Sequence, residues 1–270
     1  MAPTTTPPAG SGATGATPPT SVTGRPPAPA RSHPARALAC AAALAVLLGG
    51  GLAGCKDPNA PAAGGSASAS SAAAPGSTAG APGSALAAAG QLTVKGRAPK
   101  TGYSRDRFGP AWADTDHNGC DTRDDILKRD LRQTTFRDGA KQCIVTAGVL
   151  ADPYTGTRIT YKRGASKVDI DHAVALSDAW QKGAQQWPDD KRRDFANDPL
   201  NLLAVDSSTN RRKSDGDTAT WLPPNTAFRC AYVARQVAVK KKYGLWVTSA
   251  ERDAMRKVLG GCPAERLPTG

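Results

Sequence analysis

The chain has 270 residues, with 35 Lys and Arg against 23 Asp and Glu, a formal net charge of +12. Its single apolar run is short, which excludes a multi-spanning membrane protein. Residues 1–90 are almost wholly Ala, Gly, Ser, Thr and Pro, which cannot bury enough apolar surface to offset the entropy of ordering, so a disordered N-terminal third is expected.

In chain order, residues 37–54 are apolar and uncharged and follow Arg25, Arg31 and Arg36, the basic-then-apolar order of a secretory signal. The run ends in Leu52-Ala53-Gly54-Cys55, similar to a bacterial lipobox in which the cysteine takes a lipid and becomes the new N-terminus. A single uncleaved anchor is the bland alternative, but the run is at the short end for spanning and rich in Ala and Gly. Residues 1–55 are therefore expected to be a signal peptide with lipidation at Cys55, and 56–90 a flexible Ala/Gly/Ser/Pro tether. The product is expected outside the cytoplasm, held to the membrane by the lipid, with free secretion as the alternative.

The folded domain is expected over 91–270, one domain in size. Excluding leader and tether, it holds 31 basic and 22 acidic residues, a net +9. The excess gathers at 191–193, 211–213 and 240–242, a pattern that attracts polyanions or merely forms solvated helix faces. Residues 114–119 (Asp-Thr-Asp-His-Asn-Gly) open like a calcium loop with Asp125 at its twelfth position. Such a loop closes with Glu, so an Asx-rich turn is preferred. A short helix is expected over 124–131, with Thr122 and Asp125 as a capping box. Strands over 143–150 and 157–161 flank the turn Asp152-Pro153-Tyr154-Thr155-Gly156 as a β-hairpin. A strand follows over 168–176, helices over 179–186 and 191–196 around Trp187-Pro188, a strand over 200–205 and a helix start over 208–214. Helices over 227–243 and 249–259 complete an α+β class without βαβ alternation. Trp180, Trp187, Trp221 and Trp246 are expected in the core rather than as base-stacking platforms. Cys120, Cys143, Cys230 and Cys262 are an even set that should pair in an exported chain. Proximity favours Cys120 with Cys143 and Cys230 with Cys262. A four-cysteine zinc site would want close Cys-x-x-Cys pairs.

The domain has two histidines, His117 and His172. His172 lies in Val168-Asp169-Ile170-Asp171-His172, Asn201 follows in Pro199-Leu200-Asn201-Leu202-Leu203, and Asn210 opens Asn210-Arg211-Arg212-Lys213-Ser214-Asp215. An acid beside a histidine offers a hard metal ligand next to a general base. A downstream Asn can add a neutral oxygen ligand, and Arg or Lys can hold phosphate. A structural histidine near a surface acid is the bland alternative for any lone Asp-His.

The order Asp-His, Asn-Leu-Leu, Asn-Arg-x-Lys resembles the HNH endonucleases, whose site is a β-β-α unit gripping one divalent cation. It is especially similar to the nuclease module shared by exported HNH proteins and some modification-dependent restriction enzymes, and to the HNH lobe of CRISPR effector nucleases. Gly119-Cys120-x-Thr122-Arg123, the 152–156 turn and Trp221-Leu222-Pro223-Pro224 extend the resemblance over roughly 100–262. It implies an α+β fold with a ββα-metal core, flanking helices and the hairpin. It implies His172 as general base, Asn201 holding the loop and the histidine's orientation, and Asp171 and Asn210 as metal ligands. Arg211, Arg212 and Lys213 would contact phosphate. Asn210 stands where many relatives have a further histidine, so the site suits Mg²⁺ or Mn²⁺ better than Zn²⁺.

The implied reaction is phosphodiester hydrolysis leaving a 5′-phosphate, on nucleic acid and DNA in the first place. In a regular strand Asp171 and His172 point to opposite faces, so the strand must end or bulge there for both to serve one site. A non-catalytic binder of nucleic acid or another polyanion is the alternative. A wall-active hydrolase lacks a clear carboxylate pair or zinc triad.

Overall fold

The computed structural model describes residues 80–269, so the 1–55 signal with Cys55, and the tether as far as residue 79, lie outside the described residues. The fold is α+β, with two small antiparallel sheets and helices packed around them. Among the described residues no helix is long and apolar enough to cross a membrane.

The first element corrects the domain boundary. Helix α1 (Ala85–Gln91) occupies the end of the expected tether, capped by the Ser84 hydroxyl, which accepts from the Ala87 amide at 3.2 Å. Its Ala-rich sequence suits a helix, and the small side chains let Leu86 and Ala89 seat in the core formed with α6 (Arg229–Tyr243) and α7 (Ser249–Gly260). The chain then runs as an arm over 92–112, largely irregular apart from a single 3-10 turn at Arg105–Phe108. Thr93 and Lys95 exchange backbone hydrogen bonds with Val247, and Ala98 donates to Gln181. Phe108 plugs the arm into a second core with Trp180 and Phe195.

Helix α2 (Thr122–Asp130) starts earlier than expected, and its N-cap is Asp121, which accepts from the Asp124 amide at 2.7 Å. The Thr122 hydroxyl donates instead to the Ala113 carbonyl. Strand β1 (Leu131–Phe136) was not expected, because its Leu-Arg-Gln-Thr-Thr-Phe sequence alternates poorly. It pairs with β2 (Val145–Ala151), which pairs with β3 (Arg158–Lys162), both antiparallel. β2 and β3 are the expected hairpin. Gly148 lets β1 approach, since a Cβ there would lie 2.8 Å from Leu131. Asp124 locks α2 to this sheet, accepting from the Val145 amide at 3.1 Å and from both Arg163 terminal nitrogens at 2.9 and 2.8 Å.

Strand β4 (Val168–His172) pairs antiparallel with β5 (Leu202–Asp206) in unbroken register, from Val168 opposite Asp206 to His172 opposite Leu202. Helix α5 (Ser207–Lys213) follows β5 directly, with Asp206 as its cap. The expected 168–176 strand stops at His172, and 176 opens α3 (Leu176–Trp180). Helix α4 (Asp189–Asn197) lies in the connection between β4 and β5. Cys120 is bonded to Cys143 and Cys230 to Cys262, the pairing that proximity favours. Trp180 is buried, and Trp187 and Trp221 pack against the cores half-buried.

The solvated-face reading of the basic clusters fails at Arg192, Lys213 and Lys240, all buried. Lys240 belongs to a charge-balanced network of three cations and three carboxylates. Lys182 Nζ lies 2.6 Å from Asp178, 2.8 Å from Asp217 and 2.6 Å from Glu251. Lys240 Nζ lies 3.1 Å from Asp178 and 3.0 Å from Glu251, and Arg97 reaches Asp178 at 3.0 Å and Asp217 at 2.6 Å. The arm, α3, the turn after it, the loop after α5, α6 and α7 thus meet at one point. Burial pushes the Asp217 carboxyl up, but Lys182 and Arg97 outweigh it and hold it at about 2.

Lys182→Met should cost about 3–5 kcal/mol, because it leaves buried carboxylates uncompensated. Lys100→Ala, which breaks the half-exposed Lys100–Asp215 pair, should cost less than about 1 kcal/mol. Urea midpoints of the two variants check the contrast. Because Asp217 titrates lower folded than unfolded, its stabilisation is present above about pH 4 and lost as pH falls toward 2. Denaturation midpoints across that window should fall with pH in the wild-type chain and less steeply in Asp217→Asn.

Candidate active site

The end of β4 is where the polar side chains of interest gather. Asp171, His172 and Asn210 line one polar cavity of about 310 Å³, together with Lys100, Tyr103 and Arg105 from the arm. Ser177 and Asp215 close its far side, where the Ser177 hydroxyl donates to Asp215 at 3.0 Å. The strand ends rather than bulges, which lets adjacent residues serve one cavity.

Asn201 makes that ending. Its backbone carbonyl accepts from the Ala173 amide at 2.7 Å, continuing the ladder one step. Its side chain then takes over: Oδ1 accepts from the Val174 amide at 2.8 Å and Nδ2 donates to the Val174 carbonyl at 3.2 Å. A side-chain amide, with one acceptor and two donors, thereby imitates a strand partner and turns the chain away behind the histidine.

His172 is buried, and its Nε2 lies 2.8 Å from the Ala196 carbonyl in the last turn of α4. That carbonyl is one of the four that a helix end leaves without an internal partner. A carbonyl only accepts, so Nε2 carries the ring proton and Nδ1 keeps the lone pair. Trp112, in the loop tied down by the Cys120–Cys143 disulfide, stacks along the ring with centroids 6.3 Å apart. Burial drives the imidazole pKa down to about 3, and the charges of Arg105 and Lys213 push the same way against the Ala196 hydrogen bond. The ring is neutral at neutral pH.

Asp171 is buried too. Its Oδ2 accepts from the Tyr154 hydroxyl at 2.5 Å, and Lys213 Nζ lies 3.1 Å from its carboxylate while donating to the His172 carbonyl at 2.8 Å. Burial, with the Asp171 charge beside it, raises the Tyr154 pKa well above its ordinary value, so the phenol stays a donor. Lys213, expected on phosphate, instead points inward from α5 and braces Asp171 and the strand end. Arg212 remains exposed, donating to Ser208 and Thr209, and faces a neighbouring groove of about 460 Å³ with Arg97 and Lys100. Arg211 is exposed.

Asn210 donates its Nδ2 to Asp169 Oδ2 at 3.3 Å, which leaves its carbonyl oxygen as the remaining acceptor. An Asp171 carboxylate with lone pairs to spare, the Asn210 oxygen and a roomy polar cavity form a hard-oxygen donor set that fits Mg²⁺ or Mn²⁺ with several waters. Among the described residues no group of three His, Cys, Asp or Glu is gathered that could hold a metal, so water and substrate oxygens would complete any such shell. In the 114–119 segment Asp116 forms an Asx turn, accepting from the Asn118 amide at 3.3 Å, while Asp114 accepts from the Asn118 and Gly119 amides at 3.1 and 2.9 Å.

Tyr154, Trp112, Lys100, Tyr103, Arg105 and Ser177 join the site without having been singled out from sequence. Tyr154 sat inside a recognised turn. The others lie in segments without periodicity or motif, so nothing short of the fold brings them together.

Two similarities bear on this arrangement. Residues 121–258 match the family described as GmrSD restriction endonucleases, C-terminal domain. A protein of Arthroderma benhamiae named as an uncharacterized secreted protein is 42% identical over 173 residues, which cover 63% of this chain and 81% of that one.

Asn201→Ala should cost about 1–3 kcal/mol for each of the two Val174 backbone groups it orphans. A urea titration measures the loss, and Asn201→Asp should recover only the part owed to the Val174 amide.

Proposed function

The chain belongs to the family of the GmrSD restriction endonuclease C-terminal domain, and on that premise we propose that it is a metal-dependent HNH endonuclease acting outside the cytoplasm. Family membership supports a nuclease, and a nuclease takes a nucleic acid substrate. The observation that carries the finer reading is the convergence of Asp171, His172 and Asn210 on one cavity, with the imidazole tethered through Nε2.

His172 Nδ1 is the proton acceptor for the attacking water, and the Ala196 carbonyl fixes the ring's tautomer and direction. Burial lowers the ring's pKa and keeps it neutral, and an anionic phosphate entering the cavity would raise its proton affinity. Asn201 holds the strand end that carries the ring. Asp171 and Asn210 would hold the cation, with Lys213 and Tyr154 fixing the carboxylate. A divalent cation, if held there, would supply charge neutralisation for phosphodiester hydrolysis. The product carries a 5′-phosphate.

The extracytoplasmic reading rests on two disulfides, which persist in oxidising compartments, and on the signal-like 37–54 run. The relative's name as a secreted protein agrees with it. Lipidation at Cys55 and membrane tethering belong to the same reading.

Supercoiled plasmid incubated with Mg²⁺, Mn²⁺, Zn²⁺ or EDTA should be nicked with the first two and spared with EDTA. His172→Ala should lower the rate by about 10²–10⁴-fold while far-ultraviolet circular dichroism stays unchanged. Cleavage that survives the substitution removes His172 from the chemistry. Salt-sensitive binding without metal-dependent cleavage leaves a non-catalytic binder.

A further inference from the structure

The cations around the cavity are unequally engaged. Lys213 is buried against Asp171 and the His172 carbonyl. Lys100 is paired with Asp215 at 3.0 Å, and its ammonium lies 5.5 Å from the centre of the Tyr103 ring. Arg97 is committed to Asp178 and Asp217. Arg105 alone among the cations lining the 310 Å³ cavity makes no hydrogen bond or ion pair among the described residues.

Its position is as distinctive as its freedom. Arg105 lines the polar cavity and also a smaller one of about 80 Å³ on the Trp112 side of His172. It therefore stands at the junction of the two spaces that flank the imidazole, and its charge reaches the ring. The backbone beneath it is held firmly. Three residues on, Phe108 is 1% exposed in the second core, and Arg192 Nε donates to the Arg107 carbonyl at 2.7 Å. Gly109, at φ 78°, closes the turn by donating to the Asp106 carbonyl at 3.0 Å. A Cβ at Gly109 would also meet Arg193 at 3.3 Å. An exposed guanidinium on an anchored turn has its fork of donors free for an incoming anion.

We infer that Arg105 is the phosphate-binding residue of this site, supplied by the arm and gripping a non-bridging oxygen of the phosphodiester that His172 addresses. The inference rests on the nuclease reading above and adds to it a residue outside the family match of 121–258. A guanidinium binds phosphate through paired N–H donors and retains its charge through the reaction, so it serves the bound substrate and the more highly charged transition state. Lys213 is inside the protein and unavailable, and the exposed Arg211 and Arg212 do not line this cavity, so the role passes to the arm.

The test has two arms, run together on the full chain. In plasmid nicking with Mg²⁺ or Mn²⁺, Arg105→Ala should lower kcat/KM by about 10²-fold, with Arg105→Lys between it and wild type. The thermal midpoint should not move, because the side chain holds nothing in place. In equilibrium binding of a fluorescein-labelled DNA duplex, adding Arg105→Ala to His172→Ala should weaken affinity and reduce the log–log salt slope by about 1. Wild-type nicking with unchanged kcat/KM in Arg105→Ala overturns the inference and leaves the nuclease reading intact. No nicking by the wild-type chain overturns the nuclease reading, and the binding arm then decides on Arg105 alone: an unchanged affinity and slope sinks it.

Discussion

Five buried charges, with the more exposed Arg97 reaching in to complete them, hold this protein's segments in their relative places. Arg97, Lys182 and Lys240 face Asp178, Asp217 and Glu251 with no charge left over. Each ion taken from water singly would cost several kcal/mol, and only a mutually satisfied set makes the burial tolerable. The network is therefore demanding about geometry as well as composition. Asp178 sits beside Ser177, and Asp217 two residues past Asp215, so the same junction sets the wall of the cavity opposite His172.

The site itself follows a similar logic on a smaller scale. Each polar group near His172 is held by a partner from another element: its Nε2 by the end of α4, its carbonyl by Lys213 of α5, its neighbour Asp171 by Tyr154 of the hairpin turn. The hairpin turn in its own right is tied to β5, where the Asp206 amide donates to Asp152 at 3.0 Å. What remains uncommitted is a short list of oxygens and nitrogens that all face one space. Preorganisation of that kind lets a small constellation perform demanding chemistry, because little is left to reorganise when substrate arrives.

Sequence revealed the parts of this plan that local chemistry specifies. The 152–156 turn announced the hairpin, and the helical patterns over 227–243 and 249–259 announced α6 and α7. The spacing of Asp171, His172, Asn201 and Asn210 brought out the residues that line or brace the cavity. It failed where tertiary context overrides local signal. Helix α1 hid in a composition shared with the tether, since Ala-rich segments fold only when a neighbour supplies the apolar surface. Lys213 and Lys240 were misread because a run of basic residues carries no mark of which member turns inward. Trp112 and Arg105 lie in irregular chain, where side-chain direction is set by distant packing such as that of Phe108.

Arg97, α1 and Cys262 all lie beyond the boundaries of the family-matched residues 121–258. A fragment excised at those boundaries would keep three interior acids facing two lysines, expose the apolar face that α1 covers and leave Cys230 without its mate. The stretch matched by the family model is thus smaller than the unit that completes its own packing, and the flanks that complete it are also those that furnish one side of its cleft.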